Sequence, residues 1–267
     1  VITMAVMAVG FFHMFRGLFQ YLASLDGQLY GFGTALAARL FGMALLAFGV
    51  FVGVSSLLTG NSSLYRSSRI TLLLASSVRH SSMAVSAVLE SWFNAGWTML
   101  LMGYPILLAF SRGLAFNQVH LTTGFLLYPL MLLSWTSMGT LVTVVLSRMG
   151  GMNGWKLLGG ILLIAGTGAL FFFASGNSSD LVIEEAPGMK LGGLQEFVSG
   201  LPSQNAGYWP HSLFLRAMVE GHRGSALLLA GESLLLAFLA LFAASRRYLE
   251  AWNLSTAIPV RYQTPLF

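Results

Sequence analysis

The sequence predicts an all-α integral membrane protein with six transmembrane helices and short helices on its outer face. The chain of 267 residues has a mean hydropathy of +0.75, and only 9% of its residues are charged. Soluble domains carry about 25% charged residues, so this composition is typical of a chain that lies largely in a lipid bilayer. The helical class follows from the length of the apolar segments, which is sufficient for each to cross a bilayer.

Six apolar segments have the length of a membrane-spanning helix. Such a helix needs about 20 mostly apolar residues, because its backbone groups must be satisfied internally and it rises about 1.5 Å per residue. Proline removes a backbone hydrogen bond, so we expect the third and fourth spans to be tilted or kinked at Pro105 and Pro129. Residues 1–267 are predicted to form a single transmembrane domain, with spans at 1–24, 36–59, 84–110, 119–147, 156–175 and 224–245.

The distribution of charge predicts which face of the protein lies in the cytoplasm. The net charge is +5, and short loops rich in Lys and Arg tend to remain cytoplasmic. One predicted face carries eight basic residues and one acidic residue, whereas the other carries six of each. The first face, which holds the C-terminus and the segment between the second and third spans, is therefore predicted to be cytoplasmic.

Composition and motifs exclude several classes of function. The chain has no cysteine, so it has no disulfide framework, thiol nucleophile or thiolate metal site. No basic run is interleaved with aromatic residues on a polar background, and we therefore predict no nucleic-acid partner. The sequences GxxxxGK[ST], HExxH and GxSxG do not occur, so the chain has no Walker A loop to hold ATP. We predict no catalytic residue and no metal site.

The segment between the second and third spans, residues 61–83, combines arginines with a run of leucines. The apolar residues of "SLYRSSRITLLLASS" are scattered around much of a helical wheel, so a helix here would contact its surroundings on more than one side. One interpretation is that the arginines hold anionic lipid headgroups, each contributing about 1 kcal/mol near the surface. The other interpretation is a docking element for a cytoplasmic protein.

The loop at residues 177–223 is too long for a simple turn and contains two candidate helices, near 189–200 and 211–222. The second has Ser212 as a candidate N-cap and an apolar stripe that includes Phe214. We expect this helix to lie on, or dip into, the outer membrane interface.

The passage "ITLLLASSVRHSSMAVSAVLESWFNAGWTMLLMGYPILLAF", residues 70–110, resembles permease subunits of type-2 ABC exporters, in particular a bacterial group. In that group a leucine-rich LLLA stretch is followed by a basic residue and then by a span that opens near LES and contains Gly-x-Pro. The Gly-x-Pro of this chain is Gly103, Tyr104 and Pro105. The passages "YWPHSLFLRAMVEG" at 208–221 and "RRYLEAW" at 246–252 also resemble their counterparts.

The resemblance implies a permease subunit of an ATP-driven exporter, located in the bacterial cytoplasmic (inner) membrane and not itself an enzyme. It implies a coupling helix at residues 64–78, seated in a cleft of a separate ATP-binding cassette ATPase subunit. ATP and Mg²⁺ would bind in that partner, and this chain would bind no cofactor. Further partners would be a second permease half or a second copy, and membrane lipids. The residues in contact with the ATPase would be Arg66, Arg69, Leu72, Leu73 and Arg79.

Polar residues inside the predicted spans are candidate functional residues, because an ionisable group at membrane depth costs about 2.5–3.5 kcal/mol. Glu90 either pairs with an arginine of the preceding loop or acts as a latch that transmits movement of that loop to the span. Glu232 either lines a substrate path or carries a proton, or it is hydrogen-bonded to neighbouring serines. Other polar residues either line a polar path or join helices; these are Asn94, Ser134, Ser137, Thr140 and Thr143.

Two other functions remain open at the level of sequence. One is an ion-coupled secondary transporter or channel, with Glu90 or Glu232 in a proton relay. The other is an intramembrane enzyme that pairs His120 with a serine. The nearest serines within the same predicted span, Ser134 and Ser137, lie about 20 Å or more from His120 along the helix, which disfavours the enzyme.

Overall fold

The computed structural model describes residues 2–27, 32–66, 80–148, 158–167 and 208–256. The regular elements in these ranges are all helical, which confirms the predicted class for this part of the chain. A 3-10 turn, Leu25–Gly27, follows the first helix, and a π-helical turn, Ser62–Arg66, extends the second. The α-helices are α1 (Ile2–Ser24), α2 (Phe32–Asn61), α3 (His80–Gly113), α4 (Gln118–Arg148), α5 (Leu158–Thr167), α6 (Pro210–Val219) and α7 (Arg223–Thr256).

Within the described ranges, four helices are long and apolar enough to cross a membrane. They coincide with the second, third, fourth and sixth predicted spans, at residues 32–64, 81–113, 118–147 and 223–246. Helix α1, which covers most of the first predicted span, is not among them. Of the fifth predicted span only α5 is described, and it is too short to cross a bilayer. The predicted count of six spans is therefore not confirmed.

Helix α6 dips into the bundle beside α4. Near its C-terminus, the carbonyl of Met218 contacts His120, which is near the start of α4. At its other end, the ring of Trp209 lies 6.4 Å from the ring of Trp135, which is near the middle of α4. Eight of the ten residues of α6 are buried, and burial lowers the pKa of His211 to about 4, so this side chain enters the bundle neutral at pH 7. The structure therefore packs this helix against the bundle, and its predicted position at the outer membrane interface stays a prediction.

Glycines bring α2 and α4 into close contact. Gly49 and Gly53 lie one turn apart on α2, and the indole of Trp135 packs directly against Gly49. On the facing side of α4, a methyl group added to Gly139 would overlap the carbonyl oxygen of Gly53. Small residues allow this approach of two backbones, which is a common means of helix association in membranes.

A row of hydrogen-bonding side chains joins α2, α3 and α4 next to this contact. Ser56 donates from Oγ to the carbonyl of Thr136 at 2.7 Å, and its Oγ also lies 3.2 Å from Oγ1 of Thr140. The indole N–H of Trp92 donates to the same Thr140 Oγ1 at 2.9 Å. We call this group the hydroxyl seam; its side chains are Ser56, Thr59, Ser91, Trp92, Thr140 and Thr143.

Hydrogen bonds to neighbouring helices account for three of the predicted polar residues of α4. Thr143 donates to the carbonyl of Leu57 at 3.3 Å, and Ser134 Oγ lies 2.7 Å from Oγ of Ser233 on α7. Ser134, Thr140 and Thr143 therefore join helices. Ser137 is fully buried, and its hydroxyl has no hydrogen-bond partner among the described residues.

Replacement of Gly139 by alanine tests the contact between α2 and α4. The added methyl group forces the two backbones apart, and we expect Gly139→Ala to lower the free energy of unfolding by about 2 kcal/mol. The measurement is reversible unfolding of the purified protein in mixed micelles. Gly231→Ala on α7 is the matched control, because an added methyl group there meets nothing within 4 Å. Equal stability of the two variants would contradict the packing.

Replacement of Thr140 by valine tests the hydroxyl seam with little change in volume. The indole N–H of Trp92 loses its acceptor, so we expect Thr140→Val to cost about 1 kcal/mol of unfolding free energy. Thr122→Val is the control on the same helix, since Thr122 is exposed and donates to the carbonyl of Val119 in its own helix. A double-mutant cycle with Trp92→Phe measures the coupling, and a coupling energy of zero is the contrary result.

Candidate functional site

The residues predicted to contact an ATPase lie at the edge of the described part of the chain or outside it. Arg66 is the last residue of the π-helical turn. The other four, which are Arg69, Leu72, Leu73 and Arg79, fall in residues 67–79 and lie outside the described residues. The coupling helix at 64–78 therefore stays a prediction.

The segment that joins α2 to α3, here called the connector, begins at the π-helical turn Ser62–Arg66. Several contacts hold this turn in place. Leu64 is fully buried in a cluster that includes Val88 of α3, Val144 of α4 and Ala244 of α7. Ser63 donates from Oγ to the carbonyl of Ala87 at 3.4 Å. π-helical turns are rare in proteins, and those that occur are often found at functional sites. Here the turn lies where four helices meet, so the connector starts from a fixed position on the bundle.

Helix α3 exposes a face that mixes polar and aromatic side chains. Ser86, Glu90 and Asn94 follow one another at intervals of four residues, and all three are exposed. Phe93, of which 70% is exposed, and Trp97 lie on the same side of the helix. We call these five residues the α3 polar face.

The depth of this face distinguishes it from an ordinary surface. The candidate span Ser81–Gly113 has 33 residues and is about 50 Å long, whereas the hydrocarbon layer is about 30 Å thick. A centred helix would extend about 10 Å beyond the layer at each end. Glu90 lies about 14 Å from Ser81 along the helix, and Asn94 about 20 Å. In a helix centred in this way both positions would be inside the hydrocarbon layer, where exposure of a carboxylate or an amide to lipid is costly.

Glu232 lies in the opposite half of the bundle from Glu90. It is about 14 Å from Arg223, at the end of α7 nearest α6. Its side chain is half-buried, and Oε2 has no hydrogen-bond partner among the described residues. The neighbouring Ser233 donates to the carbonyl of Leu130 at 2.8 Å and pairs with Ser134, so it is not bonded to the carboxylate. The structure does not bring the two glutamates together.

The histidine and serines of the predicted enzyme alternative are also apart. Nδ1 of His120 lies 2.6 Å from the carbonyl oxygen of Met218. A carbonyl only accepts, so this nitrogen donates, and the imidazole closes the C-terminal turn of α6. Ser134 is paired with Ser233 on α7. No hydrogen bond joins His120 to Ser134 or Ser137 in the described structure.

A functional arrangement that the sequence reasoning missed is a reciprocal pair of tyrosines on α3 and α4. Proline at 129 leaves the carbonyl of Phe125 without its helical donor, and the hydroxyl of Tyr104 on α3 donates to this carbonyl at 3.4 Å. In return, the hydroxyl of Tyr128 donates to the carbonyl of Met99 at 2.9 Å. The available signal was the dipeptide Tyr-Pro, which occurs once in each helix.

Comparison with known families gives a match over nearly the whole chain. The model of the family described as "Putative ATP-binding cassette" matches residues 1–257. No curated protein and no solved structure matches the chain. The match and the apolar helices together support association with a membrane and with components of an ABC transporter.

The family match corrects several of the predictions made from sequence resemblance. The matching family is an ATP-binding cassette family, and this contradicts the assignment of the chain as a permease subunit of an exporter. It also contradicts the predictions that the chain is not an enzyme, that ATP hydrolysis occurs only in a separate subunit, and that ATP and Mg²⁺ bind only there. The family description attributes the ATP-binding cassette to this chain.

The described residues do not fit a nucleotide site of the P-loop type. Such a site lies between a strand and a helix and has the sequence GxxxxGK[ST]. The described ranges contain only helices and turns, and the printed sequence lacks that motif. The same ranges contain no group of three or more His, Asp or Glu side chains placed to bind a metal ion. No catalytic step is therefore derived through ATP or Mg²⁺. The family model matches residues 1–257 of the 267 residues. Because the match covers nearly the whole sequence, the chain belongs to this ATP-binding cassette family.

Proposed function

We propose that this chain is a multi-pass component of an ABC transporter in the bacterial cytoplasmic membrane, and that it pairs with a second copy of itself through the α3 polar face. The observation that carries the proposal is the exposure of Glu90 and Asn94 inside a candidate span. Lipid offers no hydrogen-bond partner to either side chain. This face therefore requires contact with a protein surface that supplies such partners.

A second copy supplies such a surface because the face complements itself. In a two-fold interface the same patch lies on both sides. The amide of Asn94 both donates and accepts, the carboxylate of Glu90 accepts, and the indole of Trp97 donates. Polar side chains that pair between membrane helices contribute about 0.6–2 kcal/mol each. Each copy contributes three polar groups and the exposed ring of Phe93 to this interface. Lipid cannot form the same hydrogen bonds.

The opposite ends of the bundle differ in charge, which supports the proposed orientation. The end with the π-helical turn carries Arg66, Arg148, Arg246 and Arg247. The guanidinium of Arg246 lies over the ring of Phe242 at 5.0 Å, at the edge of the apolar surface of α7. An arginine in this position suits anionic headgroups on the cytoplasmic side. The connector that begins at Arg66 then faces the cytoplasm, where a further ATP-binding cassette subunit is the partner that we propose for it.

Pairing through the α3 polar face is tested by disulfide formation. The chain has no cysteine, so Asn94→Cys introduces a single thiol. Near a two-fold axis this thiol meets its own copy, and we expect oxidation in native membranes to give a covalent dimer. Leu234→Cys is the control, because Leu234 is 61% exposed on a different helix, α7. A monomer at position 94, or equal dimer formation at both positions, would contradict the pairing and indicate that another segment or protein covers the face.

Orientation is tested by labelling single cysteines with a membrane-impermeant maleimide. Ser62 and Glu220 are exposed at opposite ends of the bundle. We expect Ser62→Cys to react in inside-out vesicles and Glu220→Cys to react in intact spheroplasts, each only in that preparation. Labelling of both positions from the same side would contradict the multi-pass arrangement, and the exchanged pattern would reverse the orientation.

A further inference from the structure

Three helices line an open cavity of about 370 Å³ on the side of the bundle where α1 lies. Helix α1 contributes one wall, α3 the floor and α4 the opposite wall. The lining is apolar and aromatic, and it includes Ala8, Val9, Phe12, Tyr104, Pro105 and Phe125. This cavity takes no part in the proposed pairing through the α3 polar face.

The walls of the cavity are fixed by ring contacts. Tyr104 and Phe125 are stacked with their centroids 4.7 Å apart, and the bond from the tyrosine hydroxyl to the carbonyl of Phe125 holds this wall in place. Towards the α6 end, Phe110 of α3 packs on Phe19 of α1 and on Phe41 of α2, with centroids 5.1 Å and 4.2 Å apart. These contacts hold α1 against α3, so the cavity is formed before any ligand enters.

The cavity lies at the depth of the hydrocarbon layer. Pro105 is about 12 Å from the α6 end of its candidate span, and Phe125 is about 10 Å from the same end of α4. A centred span of this length enters the hydrocarbon layer about 10 Å from its end. The cavity opens beside Val9, of which 57% is exposed. A ligand therefore enters sideways from the leaflet nearest α6.

We propose that this cavity binds one acyl chain of a membrane phospholipid. The lining offers no charged side chain, and its tyrosine hydroxyl is already bonded to a backbone carbonyl. A headgroup or a polar substrate would lose its hydrogen bonds with water there and gain none. The volume is within the range of small-ligand pockets, about 300–1,000 Å³. A flexible hydrocarbon chain is apolar, as the lining requires, and it suits a cavity of this volume.

The test is photolabelling of the full chain in detergent. The probe is a phosphatidylcholine that carries a diazirine in one acyl chain, and a diazirine fatty acid is the second arm. We expect saturable labelling of α1 near residues 8–12 and of α3 near 104–108, with at least fivefold displacement by excess unlabelled phospholipid. Stronger displacement by phospholipid than by free fatty acid identifies the phospholipid as the source of the chain.

Variants that fill the cavity give the decisive comparison. Ala8→Phe fills it from α1, and Leu108→Trp fills it from α3, so that a folding defect in one variant leaves the other as the test. We expect each to reduce the saturable labelling at least fivefold. Leu234→Phe, on the exposed face of α7, is the matched control and should leave the labelling unchanged. Labelling that does not saturate, that equals the labelling of α7, or that persists in both filling variants would overturn the proposal.

Discussion

The close contact between α2 and α4 is the interaction on which the rest of the bundle depends. In lipid there is little hydrophobic gain from bringing two apolar helices together, so association relies on close packing and on hydrogen bonds. Gly53 and Gly139 supply the first, because no side chain separates the two backbones there, and Gly49 leaves room for the indole of Trp135. The hydroxyl seam supplies the second, and it reaches α3 only because α2 and α4 already hold Ser56 and Thr140 within 3.2 Å of each other. Helix α6 then packs on the surface that this pair presents, with Leu215 against Gly42 and Met218 against Gly124.

The same constraint separates two kinds of polar residue in the membrane region. A polar group that serves to join helices must find its partner inside the bundle, because lipid provides none. Thr140, Thr143 and the pair of Ser134 with Ser233 satisfy this requirement. Glu90 and Asn94 do not, because they point away from the bundle on the α3 polar face. Contacts among the described residues of one copy do not offset this cost, and this difference is the physical reason for proposing that the two side chains lie in an interface.

Features that depend on a continuous segment could be predicted from the sequence, whereas features that depend on contacts between distant residues could not. Hydropathy located the four described candidate spans, since each is a property of a continuous segment. The amphipathic pattern located α6 but left its depth open, because the depth is set by contacts with residues such as Trp135, far away in sequence. The partners in the hydroxyl seam were likewise hidden, as they depend on the rotation of three helices about their axes. The assignment as a permease subunit was wrong for a related reason: it rested on the order of loose apolar patterns, which carry little chemistry. The sequence lacks the P-loop motif, yet the family match covers the chain without it, so the prediction that ATP binds only in a separate subunit was wrong.

Pro105 and Pro129 lie beside the hydrogen bonds that join α3 to α4. A proline inside a membrane helix removes a donor, and the freed carbonyl must be satisfied by another group. The carbonyl freed by Pro129 accepts from Tyr104, a residue of the other helix, while Tyr128 returns a hydrogen bond to Met99. Any further bending of α4 alone would break the first bond and expose a bare carbonyl to hydrocarbon. Gly103 completes the arrangement, because a side chain there would overlap the ring of Tyr128. These two hydrogen bonds and the close fit at Gly103 tie α3 to α4 beside the cavity at Pro105.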